Sequence, residues 1–254
     1  MRRRVLQLLV LSCLVALAGC SGALPGDGAG EQTLGDVSYP AGVSDDGTNV
    51  TALANAHESA LENSSLTLSI DSTVNSSAGN RSVVLDAAVG SARDNVLVNG
   101  SASGRQMSVY LTPEKRYTRI ATGDNSEAAY QVTNRSQEAM RLVPSYSGSG
   151  YLDQFAGMAN FTPTGVRTVN GTTLLVLQAD GSNATATDRA NVSEFDATIL
   201  VDERGVVHSV TVEATSSRNG QEFRTTYSMT ISDVGETTVA EPAWLDEARN
   251  QTGN

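Results

Sequence analysis

Lysine is nearly missing from this chain. Lys115 stands alone, and the other sixteen basic residues are arginines, against 28 Asp and Glu, for a net charge of −11. Nucleic acid as a partner is excluded on this ground, because phosphate backbones are gripped by clustered Lys and Arg. Cysteine is scarce too: Cys13 and Cys20 are the only two. Both lie in the first twenty residues, so the body of the chain has no disulfide, no thiolate metal site and no cysteine nucleophile. Aromatic residues make up 5%, with one tryptophan, Trp244, and histidine occurs twice, as His57 and His208. A core built from this composition is lean, and it must be large enough to hold without covalent staples. Strong acidity keeps such a chain soluble through self-repulsion, as in proteins that work in brine.

What is present begins at the N-terminus. Arg2, Arg3 and Arg4 are followed by an apolar run from Val5 to Ala18, broken only by Gln7 and Ser12, and then by Leu17-Ala18-Gly19-Cys20. The run is shorter than the ~20 residues that cross a bilayer core. A basic start, a short apolar stretch and small residues at its end describe a processed export signal. Residues 1–19 are therefore expected to be a signal peptide, cut between Gly19 and Cys20. Arg2 and Arg3, followed by two apolar residues after Arg4, fit the twin-arginine export pattern, with the general secretory route as the alternative.

Ser21 to Gly47 is rich in Gly, Ser and Asp and has no apolar period. It predicts a flexible tether over 20–47, reaching roughly 30 Å as a random coil, with Tyr39-Pro40-Ala41-Gly42-Val43 able to dock on the domain. That single domain is expected over 48–246, and a frayed tail over 247–254. Val50, Leu53, Ala54, His57, Ala60 and Leu61 have helical spacing, with Thr48 or Asn49 as cap. After Leu61 the period becomes two: strands are predicted around Leu66–Ile70, Val83–Val89, Val96–Val98, Met107–Leu111 and Tyr117–Ala121. Ser136–Val143 and Gly150–Asn160 return to helical spacing. Strands resume at Thr173–Ala179, apolar enough to be central. They continue at Phe195–Val201, His208–Ala214 and Phe223–Ile231, the last three joined by turns at Asp202-Glu203-Arg204-Gly205 and Ser217-Arg218-Asn219-Gly220. The fold class is thus α+β: a long curved antiparallel sheet, an incomplete barrel, packed on an N-terminal helix and a short central helical insertion.

Three sequence features carry a family likeness. Leu17-Ala18-Gly19-Cys20 resembles the lipobox of prokaryotic lipoproteins, which implies a lipid on Cys20 and a membrane partner through that lipid. The order of tether, helix, sheet, insertion and closing meander resembles the LolA/LolB and LppX/LprG group of lipoprotein carriers and lipid-binding lipoproteins, whose incomplete barrel leaves an apolar cavity. Tyr39–Val43, Ile199–Gly205 and Asp233–Val239 with Pro242-Ala243-Trp244 resemble an uncharacterised family of haloarchaeal lipoproteins, in keeping with the acidic, lysine-poor composition. The likeness implies a lipid-anchored protein on the extracytoplasmic face of the cell membrane. The carriers' shuttling role does not transfer, since a lipidated protein stays on its membrane.

No catalytic motif is present: no Gly-x-Ser-x-Gly elbow, no phosphate loop, no dinucleotide fingerprint and no paired-histidine spacing. No enzyme activity and no cofactor or metal are expected, and His57 and His208 read as packed or rim residues. Eleven Asn-x-Ser/Thr sequons (Asn49, Asn63, Asn75, Asn80, Asn99, Asn134, Asn160, Asn170, Asn183, Asn191 and Asn250) are glycosylation acceptors in an exported protein, though a chain rich in Ser, Thr and Asn also makes them by composition. Met107, Phe155, Met158, Phe223, Tyr227 and Met229, with Met140 and Phe161, could line an apolar cavity or fill a core. Two functions are compatible with these residues: a binding lipoprotein with a lipid-like ligand, or a structural or interaction lipoprotein with a filled core and no small-molecule ligand.

Overall fold

The computed structural model describes residues 32–123, 128–135, 146–155, 159–181 and 191–251. Thr33 onward forms one compact unit. The expected signal and lipidation residues Arg2, Arg3, Gly19 and Cys20 lie outside the described residues, as do Met140, Met158 and the helix expected over Ser136–Val143.

The periodicity of two builds the molecule. A short hairpin, β1 (Val43–Ser44) and β2 (Gly47–Thr48), comes first. Eleven longer strands then form one antiparallel sheet: β3 (Leu66–Ser76), β4 (Gly79–Val89), β5 (Val96–Ala102), β6 (Arg105–Leu111), β7 (Lys115–Thr122), β8 (Ala129–Asn134), β9 (Thr162–Val169), β10 (Thr172–Asp180), β11 (Asn191–Val201), β12 (Val207–Arg218) and β13 (Gln221–Ser232). Their order across the sheet is β8-β7-β6-β5-β4-β3-β13-β12-β11-β10-β9. The first meander, β3 to β8, runs from the middle to one edge, the second, β9 to β13, runs from the other edge back to the middle, and the pairing of β13 with β3 joins them. Among the described residues β8 and β9 are the unjoined edges, so the barrel is incomplete, as expected.

The first helix, α1 (Val50–Ala60), is capped by Asn49, whose side chain accepts from the Ala52 N–H at 2.9 Å. Its buried Val50, Leu53, Ala54 and His57, together with Leu61, face the sheet. One contiguous core takes side chains from both meanders, Val96, Val109 and Leu111 on one side and Leu177, Phe195 and Ile199 on the other, which requires the sheet to curl round α1. Among its described residues the insertion contributes a short helix, α2 (Ser149–Leu152), and a 3-10 turn ending at Phe155, in the stretch where the spacing over Gly150–Asn160 predicts helix.

Four expectations are corrected. Thr33–Gly47 is not a free tether: Leu34 and Val37 pack against the core, as do Tyr39 and Val43 of the stretch expected to dock, and β1 pairs with β2. The tail does not fray from residue 247, because α3 (Leu245–Gln251) buries Leu245 and Ala248. β10 is next to the edge rather than central; its apolar run reflects burial on both sides, with Leu174 and Leu175 at 2% and 3% exposure. His208, which two-residue alternation with Val210 and Val212 places inward, is not on the inward side of its strand. A bulge opposite Leu200 and Val201 switches the parity, so Val207 and Val210 point in and His208 falls between them.

Candidate functional site

The buried Leu66, Leu68 and Ile70 define the inner face of the sheet, and strand register carries that face outward from β3. Opposite Ile70 stand Leu85 and Met229; the next inward positions are Val83 and Tyr227, opposite Ser72. Further across, Met107 pairs with Gly100 and with Ile120, so both are inward as well. The inner face has two halves. Under α1 and α2 it is filled: Phe161, Leu68, Leu177, Ile199 and Met229 are at 1% exposure or less. Toward the hairpin tips it is open. Val83 is 45% exposed and Met107 and Ile120 each 43%, three of the four exposed large hydrophobics among the described residues. Exposed apolar side chains gathered on one concave face mark a contact surface rather than scatter.

The expected cavity-lining residues divide between the halves. Met229 belongs to the filled core, against Gly148 of the insertion, where an added Cβ would come within 3.0 Å of the Met229 sulfur. Tyr227 is half-buried, and burial raises its hydroxyl above the ordinary tyrosine value. Met107 lies on the open half. Phe223 lines a groove of about 360 Å³ between the β3–β4 and β12–β13 hairpin tips, together with Val74 and Arg81. Phe155 ends the 3-10 turn. Phe161 is core.

Sequence reasoning missed a buried polar network that latches the insertion onto α1. The Glu58 carboxylate receives Arg93 Nη1 at 2.7 Å, Ser149 Oγ at 2.8 Å and Ser147 Oγ. Arg93 also donates to the Leu61 carbonyl at the end of α1. Beside it His57, fully buried, accepts the Val207 N–H at Nδ1 (3.0 Å) and donates from Nε2 to the Ser147 carbonyl (2.7 Å). A backbone N–H can only donate, so Nδ1 is bare and the ring is the neutral Nε2–H tautomer. Burial pushes its pKa below the usual histidine value; the Ser147 carbonyl and Glu58 oppose this only in part. His57 is therefore a three-way fastener between α1, the insertion and β12. Glu58 and Ser147 are common residue types with no motif around them, which is why the linear sequence does not show the network.

The other histidine serves a turn. Asp202, at 3% exposure, accepts N–H groups of Arg204 and Val206 at Oδ1 (3.0 and 2.9 Å). Its Oδ2 meets Arg204 Nη2 at 2.8 Å and His208 Nε2 at 3.3 Å. Burial alone would raise the carboxyl, but the bonds from His208, Arg204 and Val206 outweigh it and hold the pKa at about 2. Among the described residues no group of three or more His, Cys, Asp or Glu could hold a metal ion, and no helix is long and apolar enough to cross a membrane.

The stretches that carry the family likeness prove to be fasteners as well. A Cβ on Gly205 would lie 3.0 Å from the Ala56 Cβ and 3.7 Å from the Pro40 Cβ, so the Asp202–Gly205 turn and the Tyr39–Val43 stretch meet on the back of α1. In the third stretch, the Gly235 N–H binds the Ser65 carbonyl at 2.8 Å, tying the exit of β13 to the entry of β3.

Known proteins offer distant likenesses to this architecture. Among solved structures, LprF from Mycobacterium bovis is similar at 10% identity and a TM-score of 0.37, over 76% of this chain and 97% of that one. The Mycobacterium tuberculosis lipoprotein LppX is similar at 12% identity and 0.30, over 75% and 98%. A putative outer membrane lipoprotein-sorting protein domain from Vibrio parahaemolyticus is similar at 8% identity and 0.21, over 80% and 97%. Among curated proteins none matches. One family model spans nearly the whole sequence, residues 4–248, and by that match the chain belongs to the family of unknown function DUF7537.

Proposed function

We propose that this protein is a non-catalytic lipoprotein, exported with removal of residues 1–19 and anchored through a lipid on Cys20 to the extracytoplasmic face of the cell membrane. There it holds an apolar, lipid-like ligand against the open half of its inner sheet face. The observation that carries the ligand is the exposure of Val83, Met107 and Ile120 on one concave face, continuous with half-buried Leu85 and Tyr227 and with the core beyond them. Covering three such side chains by a hydrocarbon chain is worth a few kcal/mol, taking roughly 25 cal/mol per Å² of apolar area. The filled half under α1 favours the second reading, an interaction lipoprotein without a small-molecule ligand; the open half outweighs it, because a face built only to support a core has no need of apolar side chains beyond it.

Native mass spectrometry with solvent extraction, on the full-length protein purified from its own host without detergent, tests the ligand. A noncovalent lipid in fixed stoichiometry is the expected result. A protein that carries only its covalent modification, with no second lipid, overturns the ligand reading in favour of a protein-binding one.

A further inference from the structure

Strand register sorts the charges of the sheet by sign. Asp71, Asp86, Glu194, Asp196, Glu213 and Glu222 all occupy outward positions: each lies one residue off the inward set defined by Ile70, Leu85, Phe195, Val212 and Phe223. Asp180, opposite Asp196, is outward too. The inward positions of the described strands carry no acid at all. Their charged residues are four arginines. Arg81 stands opposite Val74, Arg105 opposite Ala102, Arg116 opposite Leu111, and Arg218 opposite Gln221. In a chain of net charge −11, the concave face is thus the basic one.

Three of these arginines are placed for a ligand. Arg81, Arg105 and Arg218 sit at the hairpin-tip end of the face, at the rim of the open apolar half, and all three are exposed. None of them forms an ion pair with a described residue, whereas the outward Arg224 pairs with Glu213 at 3.6 Å. Arg81 lines the 360 Å³ groove whose floor is Val74 and Phe223. Arg105 is two residues from Met107 on the same side of β6. Arg81 and Arg105 are two strands apart with a two-residue offset, about 12 Å between Cα atoms by strand spacing and rise, a gap that two long side chains close.

We infer that the ligand of the open face is an anionic amphiphile, a membrane lipid with a phosphate-bearing head group. Its head is held by Arg81 and Arg105, with Arg218 at the far side of the rim, and its chain lies along Val83, Met107 and Ile120. This rests on the reading that the open half binds an apolar ligand. Arginine suits the task because its planar fork binds phosphate oxygens through two parallel bonds and sheds its hydration more readily than an ammonium. The acidic outer face repels the same ligand, so the sign separation also directs it inward.

The test is fluorescence titration of the full-length protein with two probes of identical acyl chains, dansyl-labelled phosphatidylglycerol and dansyl-labelled diacylglycerol, which lacks the phosphate. The wild type is expected to bind the anionic probe at least tenfold more tightly. The double variant Arg81→Gln, Arg105→Gln, which changes only exposed side chains, is expected to lose that preference and keep its affinity for the uncharged probe within about twofold. Equal binding of both probes by the wild type, with both lost on Met107→Asp, leaves the apolar site standing and overturns the arginine assignment. A preference that survives the double variant overturns it too. Binding of neither probe removes the apolar site and this inference together.

Discussion

At the scale of single residues, the molecule depends on polar groups that the core has swallowed. His57 is neutral in the folded protein and its pKa lies below the unfolded value. The unfolded chain therefore binds a proton first as pH falls. The stability contributed by neutral His57 is complete above about 6.5, the ordinary histidine value, and declines below it. Asp202 adds a second acid-sensitive step: its folded pKa of about 2 lies below the ordinary aspartate value of 3.8, so its contribution is full above 3.8 and is lost toward pH 2. Urea midpoints measured from pH 8 to pH 4 are expected to fall in wild type and to flatten in His57→Gln, which cannot take up the proton; an equally steep fall in the variant would assign the acid sensitivity to other groups. Glu58 makes the strongest single-site prediction. Glu58→Ala removes the carboxylate that faces Arg93, whose side chain is only 8% exposed, and that also anchors Ser147 and Ser149. Glu58 itself is 33% exposed, so a loss of about 2 kcal/mol, below the range for breaking a fully buried pair from one side, should appear in chemical denaturation. A change below 0.5 kcal/mol would mean that the network fastens nothing.

At the scale of elements, the C-terminal helix is held apart from the main core. α3 lies on the outer face, where Leu245 and Ala248 join Tyr110 and Tyr117 in a second small core flanked by Leu97, Tyr130, Val132 and Trp244. Tyr130 donates to Glu247 at 2.5 Å, and the Arg249 guanidinium lies 6.0 Å from the centre of the Tyr117 ring. Leu245→Ala is expected to cost about 2–3 kcal/mol, as for other buried leucines, and to speed amide exchange in α3, β7 and β8 while leaving β10 and β11 protected; uniform acceleration would place α3 inside the main folding unit instead. The sequence makes nine of the eleven long strands legible, because most of them alternate apolar and polar residues along one buried face and β10 is a continuous apolar run. The two it hides are the edges. β8 (Ala-Tyr-Gln-Val-Thr-Asn) is exposed or half-exposed throughout, and β9 carries Pro163 and Gly165. A signal for β9 was present in Asn170-Gly171, both at positive φ between Val169 and Thr172, the same hairpin chemistry that correctly marks Asn219-Gly220. The open half of the candidate site was only partly legible. Met107 could be named from its residue type, but Val83, Ile120 and the inward arginines emerge only from register, which no local pattern encodes. His208 was misplaced for the opposite reason, since a parity count cannot see a bulge.

At the scale of the whole molecule, export and anchoring can be separated from folding. Cys20→Ser is expected to move the protein from the membrane fraction to the medium, or to leave its precursor uncut, without altering the thermal midpoint of the unit that begins at Thr33; a variant as membrane-bound as wild type would end the lipid-anchor reading. The other molecular property comes from the two edges. A sheet whose first and last strands hydrogen-bond to each other has a bore fixed by strand number and stagger, and widening it means breaking a ladder. Here β8 and β9 leave that ladder unmade. The eleven strands can flatten or tighten together by small changes in twist, each shared among ten pairings, so the radius of the hollow is an adjustable quantity rather than a constant of the fold. On the proposed reading of a lipid-like ligand, molecules of one, two or three hydrocarbon tails would fit the same side chains, with gauge selected by bending and identity by the charge at the rim.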